Sequence, residues 1–404
     1  MKAGWKTVKL GEACKIVNGA TPSTSVEANW GGPHCWITPA EMGGLSDPYV
    51  RETRRTLTDA GLADCSASML PAGSVILSSR APIGHVIINT VPMATNQGCK
   101  SMIPRSDLDA KFLFYFIKAN VPLLESLGTG ATFKELSGGK LASVEIPLPT
   151  LAEQKRIVAL LDEAFAGIDE AKAKVEVSLA SAQKLTENYF QSVIDRQGRN
   201  WTPKQLSELC DIKHGYAFEG EFFSNKGNYV LLTPGNFYER GGYRDRGEKQ
   251  KYYTGEIPRE YVLNKGDLLV AMTEQAAGLL GSPIMVPESD KFLHNQRLGL
   301  VTKKPEAPWT NKFFFHIFNS PFVRKSIHDS ASGVKVRHTS PRKIGDVVVT
   351  VPSSTSEQDE IVGIMESLDE YTKSLTSLYQ QKQSALSQLK QSLLTQAFAG
   401  ELTA

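Results

Sequence analysis

The segment VEIPLPTLAEQKRIVALLDEAFAGID, residues 144–169, returns in a related form as VVVTVPSSTSEQDEIVGIMESLDEYT at residues 347–372. In each copy a short apolar run typical of a β-strand ends in proline, and a pattern typical of a helix then begins around Glu-Gln and Ile-Val. The second Glu-Gln stands one position later relative to its proline, a difference we attribute to drift. The same strand-to-helix junction therefore occurs twice in a chain of 404 residues, which indicates an internal repeat.

Other segments also occur twice, in the same order along the chain. The partners stay 193 to 204 residues apart, as expected for a tandem duplication that has acquired loop insertions. The repeated pairs are WKTVKLGEACKIVNG (5–19) with WTPKQLSELCDIKHG (201–215), Thr38-Pro39 with Thr233-Pro234, Gly73 with Gly266, Asn96-Gln97 with Asn295-Gln296, KFLFYFI (111–117) with KFFFHIF (312–318), and GATFKELS (130–137) with GVKVRHTS (333–340).

Each half predicts a globular domain of mixed structure followed by one long helix. Short apolar runs broken by glycine and proline predict strands, and amphipathic helices are predicted near residues 111–120 and 311–319. The predicted fold is α/β (α+β), with two such domains in tandem, joined and separated by two long antiparallel coiled-coil helices and related by a pseudo-twofold. The predicted boundaries are 1–150 for the first domain, 151–197 for the central helix, 198–352 for the second domain and 353–404 for the C-terminal helix.

The long helices are predicted from their first residues and from their apolar spacing. In a capping box, a hydroxyl residue and a glutamate three positions later satisfy two orphaned N–H groups of the helix start. The candidate pairs are Thr150 with Glu153 and Ser354 with Glu357. Gly198 and Gly400 stand where helix-ending residues are expected. Spacings of three and four residues predict an apolar coiled-coil seam at Ile157, Leu161, Ala164, Ile168, Ala171, Val175, Ala182, Leu185 and Tyr189, and at Ile361, Ile364, Leu368, Tyr371, Leu375, Leu378, Leu386, Leu389 and Leu393.

Composition and charge bound the class of protein. With 41% hydrophobic and 22% charged residues, and no apolar run near the roughly 20 residues that span a bilayer, we expect a globular protein without a membrane partner. Its start lacks the apolar region of a signal peptide, and five scattered cysteines fit neither a disulfide framework nor a zinc site. We therefore expect a cytoplasmic location.

Charge differs between the domains and the long helices. Residues 1–150 and 199–350 carry a net positive charge, whereas residues 151–198 and 351–404 carry a net negative charge. The basic blocks suit a polyanion such as nucleic acid. The acidic helices suit either solvation or a partner protein, and the sequence leaves both open.

The usual sequence motifs of catalysis are missing. The segment ELSGGKL does not form a phosphate-binding loop, because Lys134 occupies the position of the first glycine. Asp162, Glu170 and Lys172 have the residue types of many nuclease sites, but the helix pattern places them on the exposed side of a coil. The seven histidines are scattered, without the spacing of metal ligands. We therefore predict no catalytic and no metal site.

The repeated junction and the terminal run LKQSLLTQAFAGEL (389–402) resemble the specificity subunit of type I restriction–modification enzymes, and the resemblance covers essentially the whole chain. It implies two target-recognition domains, each binding half of a split double-stranded DNA sequence, with the long helices as spacer and docking surface. It further implies two methyltransferase subunits that use S-adenosylmethionine to methylate adenine at N6. Two restriction subunits that use ATP and Mg would complete the complex, and no cofactor is expected on this chain.

The resemblance also implies that the loop before each long helix, residues 128–140 and 331–343, faces DNA. Lysine and arginine there can attract phosphates, and bidentate side chains can read base edges; a single cation has the alternative interpretation of an ordinary surface charge. The candidate DNA-binding residues are Arg54, Arg55, Arg80, Thr129, Thr132, Lys134 and Lys140 in the first domain, and Arg244, Arg246, Lys249, Lys251, Lys335, Arg337, His338, Arg342 and Lys343 in the second.

Two interpretations remain open from the sequence. The repeated Asn-Gln pairs, at 96–97 and 295–296, suit both adenine recognition and stabilisation of a turn. The whole chain also fits a different class of protein, a two-headed coiled-coil adaptor that binds other proteins with its globular ends.

Overall fold

The chain forms two compact units, of which unit 1 comprises Met1–Val177 with Tyr379–Ala404 and unit 2 comprises Ser178–Leu378. Each unit therefore contains one globular part and portions of both long helices. The computed structural model describes residues 4–45, 47–130, 134–196, 201–274 and 278–402.

Unit 1 is built around a mainly antiparallel sheet. Its strands are β1 (Lys6–Lys9), β2 (Cys14–Asn18), β3 (Trp30–Ile37), β4 (Tyr49–Val50), β5 (Arg55–Leu57), β6 (Val75–Ser79), β7 (Ile83–Asn89), β8 (Met93–Thr95), β9 (Cys99–Pro104) and β10 (Glu145–Leu148). The main sheet has the order β2-β9-β6-β7-β4, and only β4 and β7 pair in parallel among its described strands. Beside it lie a smaller sheet β5-β3-β8 and the pair β1-β10. Strand β6 is buried along its whole length, because its run of Val, Ile and Leu suits a central strand that is covered on both faces.

The helices of unit 1 cover this sheet. They are α1 (Leu10–Ala13), α2 (Pro39–Met42), α3 (Asp59–Cys65), α4 (Ala110–Ala119), α5 (Val121–Leu127), α6 (Gly138–Ala142) and α7 (Leu151–Gln183), which continues past the boundary of the unit. The Asp109 side chain caps α4 by accepting from the N–H groups of Lys111 and Phe112. All residues from Phe112 to Ile117 are buried, so the predicted helix near 111–120 forms a large part of the core.

Unit 2 repeats the central part of this topology. Its elements are α8 (Leu185–Arg196), β11 (Trp201–Gln205), α9 (Leu206–Leu209), β12 (Cys210–His214), β13 (Phe223–Ser224), β14 (Tyr229–Leu231), β15 (Tyr252–Tyr253), β16 (Val262–Leu263), β17 (Leu268–Ala271), β18 (Thr273–Glu274), β19 (Pro283–Met285), β20 (Phe292–Leu293), β21 (Leu298–Lys303), α10 (Asn311–Asn319), α11 (Pro321–Asp329), β22 (Arg337–His338), α12 (Pro341–Gly345), β23 (Val348–Pro352) and α13 (Thr355–Ala399). The order β12-β21-β17-β19 matches β2-β9-β6-β7, and β11 pairs with β23 as β1 pairs with β10. The tandem repeat of mixed α/β domains is therefore confirmed.

Within unit 1, the first part of α7 runs antiparallel to the last part of α13. Lys390 pairs with Asp169 at 3.1 Å, and Gln383 Nε2 donates to Glu176 Oε1 at 3.5 Å, so residue numbers rise along one helix as they fall along the other. Near its C-terminus, α13 places Phe398 against two aromatic rings of α4, with centroids 5.1 and 5.4 Å apart. Gly400 then ends the helix with a φ of +81°, as predicted.

The apolar seam of α13 differs from the predicted one. Ile364, Tyr371, Leu378 and Leu389 are 41% to 58% exposed, while polar residues such as Gln383 and Lys390 contact α7. The predicted positions Ile361, Leu386 and Leu393 are buried or half-buried, so the spacing locates part of the seam but not the positions between them. In the first helix most predicted seam positions are buried or half-buried, although Leu185 is 37% exposed. The helix is interrupted at Lys184, and Gly198 lies outside the described residues.

The Gln of the repeated Glu-Gln explains why the junction occurs twice. Gln154 is completely buried, and its Oε1 accepts from the N–H of Asp109, the capping residue of α4, at 2.8 Å. Its Nε2 donates to the carbonyls of Asp107 and Pro149 at 2.9 and 2.8 Å. A single amide thus fastens the start of α7 both to the preceding strand and to the start of α4.

Gln358 makes the equivalent contacts in unit 2. It is completely buried, accepts from the Thr310 N–H at 2.9 Å, and donates to the carbonyls of Pro308 and Pro352 at 2.6 and 3.4 Å. The glutamates before the two glutamines take part in different contacts. The backbone N–H of Glu153 donates to the Thr150 hydroxyl at 3.4 Å. The side chain of Glu357 accepts, through Oε1, from Trp201 Nε1 at 2.7 Å. The glutamine is therefore the shared element of the two junctions.

We expect Gln154→Ala to lower the free energy of unfolding by about 2–4 kcal/mol, because it leaves a buried N–H and two carbonyls without their partner. Urea unfolding of the purified chain measures the change. The matched control is Gln381→Ala on an exposed position of α13, which should change stability by less than about 0.5 kcal/mol. Equal stability of the two variants would contradict the role of Gln154 as a buried fastener.

Candidate nucleic-acid interface

The loops before the two long helices have the same backbone pairing at their bases. In unit 1, Thr129 and Glu135 exchange two backbone hydrogen bonds of 3.0 and 2.9 Å. In unit 2, Ser332 and His338 exchange two of 2.9 Å. Each loop is therefore closed at its base by a short antiparallel bridge, which fixes the direction of the residues at that point. We call these the unit 1 hairpin (Thr129–Glu135) and the unit 2 hairpin (Ser332–His338).

Both hairpins are attached to the end of the central strand of their sheet. Leu136 N–H donates to the Ser79 carbonyl, and Thr339 N–H donates to the Met272 carbonyl, each at 2.9 Å. The N–H of Ser79 in turn donates to the carbonyl of Gly98 at 2.7 Å. The equivalent bond joins Met272 to the carbonyl of Arg297 at 3.0 Å. The hairpin, the end of the central strand and the Asn-Gln turn are thus joined by backbone hydrogen bonds in both units. We call this arrangement the mount.

The repeated asparagines stabilise the turns of this mount. Oδ1 of Asn96 accepts from the N–H of Gly98, and Oδ1 of Asn295 accepts from the N–H of Arg297, both at 3.0 Å. Of the two interpretations of the Asn-Gln pairs, the structure shows the turn for each asparagine. Gln97, by contrast, presents its side chain to the exposed Thr21 hydroxyl.

The glycine that ends the first repeated segment is required by close packing on the same turn. A Cβ on Gly19 would lie 1.8 Å from the Asn96 carbonyl oxygen, and one on Gly215 would lie 2.3 Å from that of Asn295. Both distances are far below van der Waals contact, so only glycine fits. The repeated Gly and the repeated Asn-Gln are therefore two sides of one contact.

In unit 1 the structure brings Arg80 to the base of the hairpin. Its Nη1 lies 3.8 Å from Glu135 Oε2, and Lys100 Nζ lies 3.5 Å from Glu135 Oε1. Lys134, next along the hairpin, is exposed, whereas Lys140 donates to the Leu127 carbonyl at 2.8 Å and so also holds the end of α5. Thr132 lies outside the described residues.

In unit 2 the predicted cations divide between engaged and exposed side chains. The Arg337 guanidinium is half-buried and bonds to the His328 ring and, at 3.3 Å, to the His328 carbonyl. Lys343 donates to the Ser332 hydroxyl at 2.6 Å. The remaining candidates here, Lys335, His338 and Arg342, are exposed.

The other candidates of unit 1 lie at the smaller sheet, where Arg55 begins β5 and Arg54 directly precedes it. The guanidinium carbon of Arg55 is 3.5 Å from the ring centroid of Trp30, a stacked cation–π contact. Arg54 is exposed, and its backbone N–H donates to Glu41 Oε1 at 2.7 Å. The structure therefore places Arg54 and Arg55 beside the sheet β5-β3-β8, whereas the hairpin residues adjoin the main sheet.

A second basic hairpin in unit 2 surrounds Tyr238, whose side chain is 44% exposed. Arg240 and Arg244 each place their guanidinium carbon 5.9 Å from its ring. Arg240 was not among the candidate DNA-binding residues, although it lies in the same basic segment as Arg244 and Arg246. The neighbouring candidates are less concentrated: Arg246 is half-buried, Lys249 is exposed, and Lys251 Nζ lies 5.6 Å from the Phe223 ring.

Arg324 holds this second hairpin in place. Its Nη1 donates to the Glu239 carbonyl at 3.0 Å and its Nε to the Leu280 carbonyl at 2.9 Å. Burial lowers the pKa of Arg324, and the nearby Glu274 opposes that shift. Glu274 is itself buried, and its Oε2 accepts from the N–H groups of residues 278–280 at 2.9 to 3.1 Å. The hydrogen bonds of Arg324 and Glu274 therefore hold the backbone beneath the basic hairpin around Tyr238.

The residue types that suggested nuclease chemistry have structural partners. Asp162 accepts from Lys111 Nζ at 2.8 Å and from the Tyr115 hydroxyl, and Glu170 pairs with Lys174 at 2.6 Å. Across the described residues, no group of three His, Cys, Asp or Glu side chains is arranged to hold a metal ion. Burial also lowers the pKa of His294, beside the Asn-Gln turn, to about 4, so this ring is neutral at pH 7.

The family model for the type I restriction modification DNA specificity domain matches residues 2–177 and 198–384. The two matches cover most of the chain and fall on its two halves. The chain belongs to this family. In the part of the chain that the structure describes, no helix is long and apolar enough to cross a membrane.

Curated members of the specificity-subunit family are similar to this chain over different lengths. The MjaIX specificity subunit of Methanocaldococcus jannaschii is 30% identical over 227 residues, which is 52% of this chain and 52% of that protein. The chain thus spans about half of that relative. The EcoKI specificity subunit of Escherichia coli K12 is 25% identical over 432 residues, covering 99% of this chain and 90% of that protein.

Solved structures share the fold of this chain. The HsdS subunit of Thermoanaerobacter tengcongensis has a TM-score of 0.63 at 18% identity and covers 100% of this chain and 98% of that one. A chain from a study of assembly and conformational transition of the type I R-M system has a TM-score of 0.76 at 16% identity, covering 100% and 99%.

Proposed function

We propose that this chain is the DNA specificity subunit of a type I restriction–modification complex, a non-catalytic subunit that selects the sequence on which partner enzymes act. The observation that carries the proposal is the mount that occurs twice, a hairpin attached to the central strand and to the Asn-Gln turn. Each mount presents a basic loop from a rigid sheet, as sequence-specific contact with base edges requires.

The two mounts support recognition of a split, asymmetric DNA target. Their backbone bonds correspond, but their side chains differ: Arg80 and Glu135 in unit 1 stand where Thr273 and His338 stand in unit 2. Equivalent positions with different donors and acceptors select different bases. We propose one half-site for each unit, about one duplex turn apart so that both face the same side.

The partners are proposed from the family. Two methyltransferase subunits with S-adenosylmethionine would methylate adenine at N6, and two restriction subunits with ATP and Mg would cleave. This chain would supply only the DNA contacts and the docking surfaces.

One apolar stripe on α13 suits a methyltransferase subunit. Ile364, Tyr371 and Leu378 follow one another at intervals of seven residues and are 41%, 57% and 58% exposed, so they share a face. We propose that helices of the partner pack on this face. The acidic character of residues 351–404 would steer a partner with a basic rim.

The proposed function predicts base-specific DNA binding by the chain together with its methyltransferase subunit. Affinity for the target duplex should exceed that for random duplex by at least about a thousandfold, and both should weaken as salt rises. The target is found by mapping N6-methyladenine in the host genome with and without this gene. A protein–protein adaptor would leave methylation unchanged and bind target and random duplex alike.

The docking proposal predicts that Tyr371→Ser with Leu378→Ser weakens assembly with the methyltransferase subunit at least about tenfold, because exposed apolar anchors contribute most of an interface's affinity. Analytical gel filtration and titration of the purified subunits measure it. The chain itself should stay folded, since neither side chain is buried within it. The control is Phe322→Ser on α11, an aromatic that is 60% exposed and lies off the stripe.

We also propose that the long helices set the gap between half-sites. One heptad inserted after Lys174, with a matching heptad in α13 opposite it, adds about 10 Å of helix. The antiparallel contact of Glu176 with Gln383 locates the matching position. The preferred gap should grow by about three base pairs at 3.4 Å each. Affinity should fall as well, because that change rotates one half-site about a third of a turn around the duplex.

Selection from a duplex library with variable gaps measures the change. An unchanged preferred gap would remove the spacer role and leave the helices as docking surfaces only. The control carries the heptad in α7 alone, which breaks the register of the helix pair and should lower stability.

A further inference from the structure

Glu135 is an unexpected residue in a loop for which we propose contact with DNA. It is the only acid among residues 128–140, and its side chain is 42% exposed. A carboxylate repels phosphates, so by itself it opposes the attraction that the neighbouring Lys134 supplies. Its presence therefore requires a local reason.

The structure places this carboxylate between two cations. Glu135 stands across the bridge from Arg80, with Oε2 at 3.8 Å from Arg80 Nη1 and Oε1 at 3.5 Å from Lys100 Nζ. The side chain of Lys100 is 9% exposed and that of Arg80 is 36% exposed. The buried lysine thus holds the carboxylate from below, while the arginine reaches the surface.

Arg80 is also confined on its other side. A Cβ on Gly98 would lie 3.2 Å from Arg80 Nε, so the guanidinium packs directly over the turn that begins with Asn96. Gln97, in the same turn, has an exposed side chain that contacts the hydroxyl of Thr21. Three separate segments, around residues 80, 97 and 135, therefore meet at one surface of unit 1.

The charge pair is not needed to build the mount. Unit 2 has the same backbone bonds with Thr273 opposite His338, and Glu274 faces Arg337 one residue further along. The hairpin therefore closes there without an arginine–glutamate pair at the position equivalent to Arg80 and Glu135. Where the fold does not require a surface ion pair, its contribution to stability is small. The two units therefore share the backbone bonds and differ in these side chains, as expected where residues select different bases.

We propose that Glu135 is a positioning residue that holds the Arg80 guanidinium in the orientation needed to read one base pair of the half-site bound by unit 1. The inference rests on the proposed function and assigns part of its specificity. An arginine fork makes two parallel hydrogen bonds to the O6 and N7 edge of guanine, which requires a fixed plane. The carboxylate supplies that constraint before DNA arrives.

Glu135→Gln, which keeps the shape and removes the charge, gives effects of opposite sign on two measurements. Affinity for random duplex should stay equal or rise, because a repelling charge is lost. Discrimination at one base pair of the target should fall about tenfold, within the range that one bidentate contact supplies. A general loss of folding lowers the affinities for target and random duplex alike, and a purely repulsive role raises both affinities while leaving discrimination unchanged.

The measurement uses the complex with its methyltransferase subunit and a set of duplexes that carries every single-base change in the target. Glu12→Gln, an exposed acid on α1, is the charge-matched control and should leave discrimination unchanged. Arg80→Lys, which keeps the charge but loses the fork, should lose discrimination at the same base pair. In an Arg80→Ala background, Glu135→Gln should have no further effect there, because the group it positions is absent.

Unchanged discrimination in Glu135→Gln, or an equal loss with and without Arg80, overturns the inference while the specificity function stands. A wild-type complex that binds all duplexes alike overturns the proposed function itself. The two failures are thus distinguished by the wild-type measurement alone.

Discussion

Two buried glutamine side chains fix how each long helix leaves its domain. Gln154 and Gln358 each join the start of a long helix, the preceding strand end and the start of the core helix through three hydrogen bonds. A buried amide is stable only when its donors and acceptor are satisfied, so the three elements must meet in one geometry. The segment that carries each hairpin runs from the start of the core helix to the end of the strand before the long helix. The glutamine therefore fixes both ends of that segment.

On this fixed frame the side chains of the hairpins are free to differ. The bonds that attach each hairpin use backbone N–H and carbonyl groups, which are independent of residue type. Only the repeated Gly and Asn of the adjoining turn are dictated by packing and turn geometry. A protein that must present different readout residues at two equivalent places gains from such a division, since changes in the readout residues leave the frame intact.

The sequence predicted most of the frame and only part of the candidate site. Apolar periodicity, and the glycines and prolines that interrupt it, predict the repeats, the strands, the two core helices and the long helices. Both signals are local properties of the sequence. The role of Gln154 was missed because its partners lie in segments brought close only by folding. The prediction of the α13 seam was wrong at Tyr371 and Leu378, because residue spacing alone does not show which of several adjacent helix faces packs against α7. Glu135 was not predicted as a site residue, because its importance depends on Arg80 and Lys100, which lie far from it in the sequence.

The contacts that each cation already makes within the protein distinguish two kinds of candidate DNA contact. Arg55, Arg80 and Arg337 are each held, by a tryptophan ring, a carboxylate and an imidazole respectively. An arginine that is already held loses less of its roughly 2 kcal/mol of side-chain entropy when it binds, and base reading requires that fixed plane. The exposed candidates Lys134 and Lys335 keep their freedom, which a non-directional attraction to phosphate tolerates. The held arginines are therefore the better candidates for sequence selection, and the free lysines for affinity that is independent of sequence.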